Sequence, residues 1–498
     1  MGTFLLFLIL NGAYYLLLGL NIQFLKAESG IYLANAGKAH AEGIAFIIPI
    51  MKNGYNGHFA PLTFLAEFWQ SQLFGTHETY WFWRQMIVVS LFMTCISFFS
   101  ISLAMLESDL EKPTIPTSLA GISIAVIFGF QPIVTTLVSW PFMAIQLFCL
   151  SLAILSFLYL IKFSNSNSRT HLWLALVLAY STMHVFGTGL AISVSVLFTA
   201  TILIALRWYV AGEEKSVLRQ SLTPVFVLLA FTIIHTVLMV RSVGGTPPSE
   251  SVSIGVSIAR YGAIFIELLH TSLRSIWAQG GILNPEMRGM GADSCYGWGL
   301  IFILSVTMFS LMHSYLKTPS EKALSRITIT MLPTLTLIII VGMITYRIRT
   351  EPSNNVLIGY INTDRYLISS SFCGLVFIAG LYLIFSSFCG LVFIAGLYLI
   401  SKVKLSASSA AAFLTAAIVC VCGNAVFMHK VPYIIWPEKL ISHTDYWNGI
   451  LNSVKDDTDY QSANWNQSMK TVTDFDITPL TFQQLIENDL EDRGQKRP

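Results

Sequence analysis

Long apolar runs alternate along the chain with short polar interruptions. A membrane-crossing helix needs about 20 apolar residues. Runs at 4–25, 85–106, 116–134, 142–161, 172–188, 190–206, 222–240, 297–316, 327–346, 366–384 and 405–427 meet that demand. The pattern predicts an all-α polytopic membrane protein with about eleven transmembrane helices. The first run has no basic n-region and no clean small-residue cleavage site, so it reads as a retained span rather than a signal peptide.

The polar interruptions carry a second pattern. Stretches 107–115, 162–171, 207–221, 317–326 and 402–404 are short, and together they hold 11 of the 29 Lys and Arg. Alternating spans place all five on one side, and dense Lys and Arg in short loops mark the cytoplasm. The N-terminus is then cytoplasmic, and the long connections 26–84, 241–296 and 347–365 face the periplasm or lumen. A bacterial inner membrane is the expected setting. The chain divides into a transmembrane domain, 1–427, and a small outer-side segment, 428–498. On this map no span contains Asp, Glu, Lys or Arg, which argues against an ion-coupled transporter. Within 257–277, Arg260, Glu267 and Arg274 fall on one helical stripe, and the segment reads as an interfacial helix outside the spans.

One repeat is exact: 370–384 recurs as 386–400. Sixteen residues rotate a helix by about 160°, so the two copies cannot present the same face. A single helix over 366–401 would be about 54 Å long, against a hydrocarbon core of about 30 Å. It must protrude or break near Ser386.

Composition agrees with the pattern and narrows the function. The 498 residues are 54% hydrophobic and 11% charged, with a net charge of +2. Mean hydropathy is +0.65. No basic stripe exists, so nucleic acid is excluded as a partner and membrane lipid is the expected surroundings. The seven cysteines form neither a disulfide framework nor a zinc signature, and no cofactor motif is present.

Four polar stretches on the outer side could carry chemistry. Glu28, in 26–43 directly after the first span, could serve as a general base beside an acceptor hydroxyl. His58 sits in NGYNGHFAPL (53–62), where Gly54 and Gly57 permit tight turns before an amphipathic run. Trp140 closes GFQPIVTTLVSW (129–140), where it either stacks on a sugar or anchors its helix at the interface. Arg365 and Tyr366, in NTDRYLIS (362–369), enter a late span from outside. A guanidinium at a helix start suits a lipid-linked phosphate.

The order of these stretches resembles the GT-C superfamily of membrane glycosyltransferases. In particular it is similar to the branch of protein O-mannosyltransferases, tetratricopeptide-linked transmembrane mannosyltransferases and uncharacterised bacterial relatives. Those proteins have an acidic pair and Tyr-Leu after the first span, and ESGIYL (28–33) is similar, with Ser29 in place of the second acid. NGHFAPLTFLAEFWQSQLFG (56–75) matches the family's Asn- and His-containing stretch, its Pro, its amphipathic helix and its Phe-Gly, with Phe59 where a basic residue is common. QPIVTTLVSW (131–140), FGTGL (186–190) and DRYL (364–367) follow in the family's order, with Gln131 in place of a His.

The resemblance covers about residues 1–430. It implies transfer of a sugar from a polyprenyl-phosphate donor at the outer or luminal face to a protein, lipid or glycan acceptor. Glu28 would be the base, Arg365 and Tyr366 would hold the donor phosphate, and His58 would lie nearby. Ser29 keeps open the alternative of a catalytically degenerate relative that scaffolds partner subunits. A lipid or polysaccharide flippase is the third reading.

Overall fold

The computed structural model describes residues 2–20, 59–75, 77–108, 110–130, 132–211, 215–243, 315–348 and 407–430, together with a few isolated positions. Its regular elements are all α-helices: α1 (Gly2–Leu17), α2 (Pro61–Phe74), α3 (Glu78–Ser108), α4 (Ile115–Gly129), α5 (Pro132–Val138), α6 (Pro141–Ser166), α7 (Arg169–Val185), α8 (Gly189–Ala211), α9 (Lys215–Val243), α10 (Glu321–Ile348) and α11 (Ala407–Lys430). Among the described residues, five helices are long and apolar enough to cross a membrane: α3, α6, α8, α9 and α10. Three shorter apolar helices, within α1, α4 and α11, accompany them. The fold is therefore an all-α membrane architecture. The spans expected at 297–316 and 366–384, the duplicated segment and 428–498 lie wholly or largely outside the described residues.

Helix boundaries follow local chemistry. Pro61, Pro116 and Pro141 each occupy the first turn of a helix, where a missing N–H costs nothing. Thr114 caps α4, its hydroxyl accepting from the Thr117 amide. Asn167 takes a left-handed conformation, φ 54°, and turns the chain from α6 into α7. Two expected spans come out differently. The first ends at Leu17, leaving a helix of 16 residues, about 24 Å, before Gly19 at φ 67°. The run 116–134 breaks at Phe130, and Pro132 starts the separate short helix α5.

Helix α6 is the hub, packed against α3, α5, α7, α8 and α10. In its most apolar stretch 78% of the residues are buried, against 28% in α9, which sits at the edge. Inter-helix hydrogen bonds give the directions. Ser156 Oγ donates to the Ala175 carbonyl, and the Cys149 thiol reaches the Thr182 carbonyl, so α6 and α7 are antiparallel. Ser193 in α8 meets Thr232 in α9, again antiparallel. On the other flank α4 runs back along α3, so closely that side chains on Gly121 and Gly129 would strike Ile101 and Met93. Such small-residue contacts replace the hydrophobic effect as the drive for association in lipid. Asn424 of α11 exchanges hydrogen bonds with Thr135 of α5, whose hydroxyl also meets Tyr15 of α1 at 3.0 Å.

Candidate functional site

These directions give the bundle two unlike ends. At one, Arg207 near the close of α8 donates to the backbone carbonyls of Phe163 and Ser164 at the close of α6, at 3.1 and 2.8 Å. The Ser164 hydroxyl meets that of Ser325 in the first turns of α10, at 3.1 Å. Helices α6 and α8 finish here and α7 and α10 begin here. The charged stretches 162–171, 207–221 and 317–326 therefore meet at a single end, as their lysines and arginines lead one to expect. His171 lies at this end, its imidazole pushed below the usual range by burial and by the Lys162 charge. Ser166 Oγ is 3.1 Å from its Nδ1.

The opposite end is crossed by α2. Near its start, the Thr63 hydroxyl donates to the Val185 carbonyl at the close of α7. Phe59, just before the helix, packs edge-on against His235 of α9, which in turn meets His184 of α7. Further along, the fully buried Glu67 carboxylate is ion-paired with Arg84 in the second turn of α3. Arg84 also donates to the Pro141 carbonyl, at 3.0 Å, and to Gln85 Oε1, and its guanidinium lies 5.4 Å from the centre of the Trp81 ring. Gln85 Nε2 donates to the Val138 carbonyl at 2.7 Å. The chain leaves α2 through Gly75 at φ 47° and ψ −127°, a backbone region open essentially to glycine. The Gly75 carbonyl accepts from Trp81 Nε1 at 2.9 Å.

Helix α2 is turned inside out relative to a water-facing helix. Thr63, Phe64, Glu67, Phe68 and Ser71 are buried against the bundle. Leu62, Leu65, Trp69 and Leu73 form the outward stripe, with Trp69 61% and Leu73 57% exposed. On the inner face, Glu67 Oε2, Gln70 Oε1 and Ser71 Oγ are buried and have no hydrogen-bond partner among the described residues. Burial pushes the Glu67 carboxyl above its ordinary range, and the Arg84 charge and hydrogen bond pull against that rise without cancelling it.

Of the residues singled out from the sequence, Trp140 is described. It precedes the first turn of α6, next to Pro141, and its ring is buried in the core. Glu28, His58, Arg365 and Tyr366 lie outside the described residues. Three other stretches of the same sequence pattern are largely within the described residues. Residues 59–75, the end of 131–140 and the start of 186–190 are far apart in sequence, yet all lie at the α2 end of the bundle. The last is a tight turn in which a Cβ on Gly189 would overlap the Thr182 carbonyl.

Sequence reasoning missed Glu67, Arg84 and Gln85. The map with no charged residue in a span needs correcting, because α3 begins about two turns before position 85 and carries Arg84 in with it. Arg207 is likewise enclosed within the last turns of α8. The pair's spacing of 17 residues across a glycine turn has no helical signature. The available signal was Glu67 itself, a lone acid in an otherwise apolar and amide-bearing run. No protein-family model matches the chain, and no curated protein sequence matches it.

Proposed function

We propose that the chain is a membrane glycosyltransferase that takes a sugar from a polyprenyl-phosphate donor at the end of the bundle crossed by α2, on the periplasmic or luminal side. One observation carries this reading. Three of the sequence stretches whose order resembles the GT-C pattern, 59–75, 131–140 and 186–190, converge on that end through the Thr63–Val185, Gln85–Val138 and Arg84–Pro141 contacts. The cation-rich short connections gather at the other end, as a cytoplasmic face requires. Glu28 follows α1, which packs along α3, so the chain emerges from α1 towards the α2 end. There it would take the acceptor proton, with Arg365 and Tyr366 on the donor phosphate and His58, next to Phe59, close by.

The test is sugar transfer by the purified chain in lipid discs, using a panel of polyprenyl-phosphate sugars, beside Glu28→Gln. Turnover by the parent, lost in the variant with donor binding retained, is the expected result. Absence of both transfer and donor binding across the panel, in folded protein, would replace this reading with that of a scaffold subunit.

A further inference from the structure

The end of the bundle away from α2, where α6 turns into α7, carries charge that its own helices leave unbalanced. Lys162 stands in the last turns of α6, and Arg169 opens α7. Between Glu111 and Glu213 the chain has no Asp or Glu, so helices α4 to α8 offer neither cation a partner. Glu321 opens α10 at this end, but among the described residues it forms an ion pair with neither. Lys162 is nevertheless held in place. Its ammonium lies 5.6 Å from the centre of the Tyr159 ring, and that ring lies 5.9 Å from the ring of His171.

Hydrogen bonding fixes the tautomer of His171. The Ser166 hydroxyl has one proton, which it donates to the Lys162 carbonyl at 2.8 Å. In the 3.1 Å contact with His171 Nδ1 the hydroxyl oxygen must then accept, so Nδ1 carries the hydrogen. Neutral His171 therefore keeps its lone pair on Nε2, which has no partner among the described residues. Nε2 becomes a donor only when the ring takes a second proton. Burial and the Lys162 charge oppose that proton, and an anion beside the ring favours it. Among the described residues, Tyr159 and Lys162 of α6 face the ring. Arg207 of α8 is taken up by the carbonyls of Phe163 and Ser164.

The surface beside these groups identifies the source of the anion. Arg169, Trp173 and Val177 recur at every fourth residue of α7 and so lie in one line. Arg169 is exposed, and Trp173, Leu174 and Val177 are 42%, 39% and 54% exposed. An apolar stripe that runs through a tryptophan to an arginine is a helix face passing from hydrocarbon into head groups. Trp208 and Tyr209, at the close of α8, are exposed at the same end. A soluble anion would satisfy the cations and leave the stripe unused. A phospholipid phosphate meets the cations while its acyl chain lies along the stripe, and basic pockets between membrane helices on a cytoplasmic face bind such head groups.

We infer that the α6–α7 turn binds an anionic phospholipid, its phosphate held by Lys162, Arg169 and His171 Nε2–H and its acyl chain lying along Trp173, Leu174 and Val177. Binding then carries a proton with it, because the phosphate is met by the imidazolium.

The full chain, carrying isotope-labelled histidine, is held in phosphatidylcholine discs with increasing phosphatidylglycerol, and its imidazole signals are followed by NMR through pH. His171→Asn identifies the His171 signal. The expected result is that the His171 midpoint rises by about one pH unit or more and saturates as phosphatidylglycerol is added. His313, exposed just before the 317–326 connection, reports the general surface charge and moves less, without saturating. Lys162→Gln starts from a higher midpoint, because a neighbouring cation has gone. It nevertheless needs about fivefold more phosphatidylglycerol for half of its rise, as does Arg169→Gln, since each cation near an anionic surface is worth about that factor. No rise at His171, a rise matched by His313, or a rise that both variants leave unchanged overturns the inference. So does an equal rise when glycerol phosphate is added to plain phosphatidylcholine discs, which would make this a site for soluble phosphate.

Discussion

Breaking the Glu67–Arg84 pair from one side should cost far more than removing it whole. Arg84→Met leaves a fully buried carboxylate without its counter-charge, and uncompensated buried charges of this kind cost about 3–5 kcal/mol. The same change strips the Pro141 carbonyl of its donor, which adds about 1 kcal/mol for a group at a helix start. The double variant Glu67→Leu with Arg84→Met removes both charges and fills the space with apolar atoms. Such replacements are often neutral or stabilising, so the remaining cost is the Pro141 carbonyl, again about 1 kcal/mol. A double-mutant cycle measured by steric-trap unfolding in lipid discs should therefore give a coupling of roughly 3 kcal/mol or more between the two positions. If Arg84→Met alone lies within about 1 kcal/mol of the parent, the carboxylate is not held in a dry site, and α2 does not pack as described.

Three further outcomes follow from the same geometry. Gly189→Ala should destabilise by roughly 1–3 kcal/mol, the usual cost of overpacking, because its Cβ would strike the Thr182 carbonyl; loss of α7–α8 protection in hydrogen exchange would show it. Arg207→Met should cost about 3 kcal/mol, through two charged hydrogen bonds to the carbonyls of Phe163 and Ser164, and should raise exchange in the last turn of α6 before it affects the α2 end. The raised pKa of Glu67 gives a pH signature: its contribution to stability is fully present below the ordinary value of 4.5 and is lost as pH rises through the raised value. A thermal-unfolding series should show that fall in the parent and not in Glu67→Gln.

How much of this was legible in the sequence depended on whether the signal had a sign. Apolar runs have one, and α4, α6, α7 and α8 start within three residues of the expected runs, whereas α10 starts six residues early, at Glu321. Clustered Lys and Arg also have one, and three of the charged stretches meet through the contacts of Arg207 and Ser164. Starts and breaks were less legible where a single glycine or proline decides them. Gly19 and Pro132 shortened two expected spans, and nothing in mean apolarity marks either residue.

Periodicity has no sign. The run 61–74 has a polar and an apolar face whichever way it packs. In water the apolar face would turn inward, and Glu67 would be a solvated acid. At the edge of a bilayer the lower free energy puts Leu62, Leu65, Trp69 and Leu73 in lipid, and the bundle must then accept Glu67. It can do so only with a cation at hand, and α3 supplies one by starting early enough to include Arg84. The burial of Glu67, the early start of α3 and the cost of removing Arg84 alone are thus consequences of one choice of face. Trp69→Lys tests that choice directly. On a lipid-facing stripe it should weaken the insertion of α2 and release Glu67 and Ser71 to solvent, seen as faster amide exchange through 61–75. On a water-facing stripe it should change nothing.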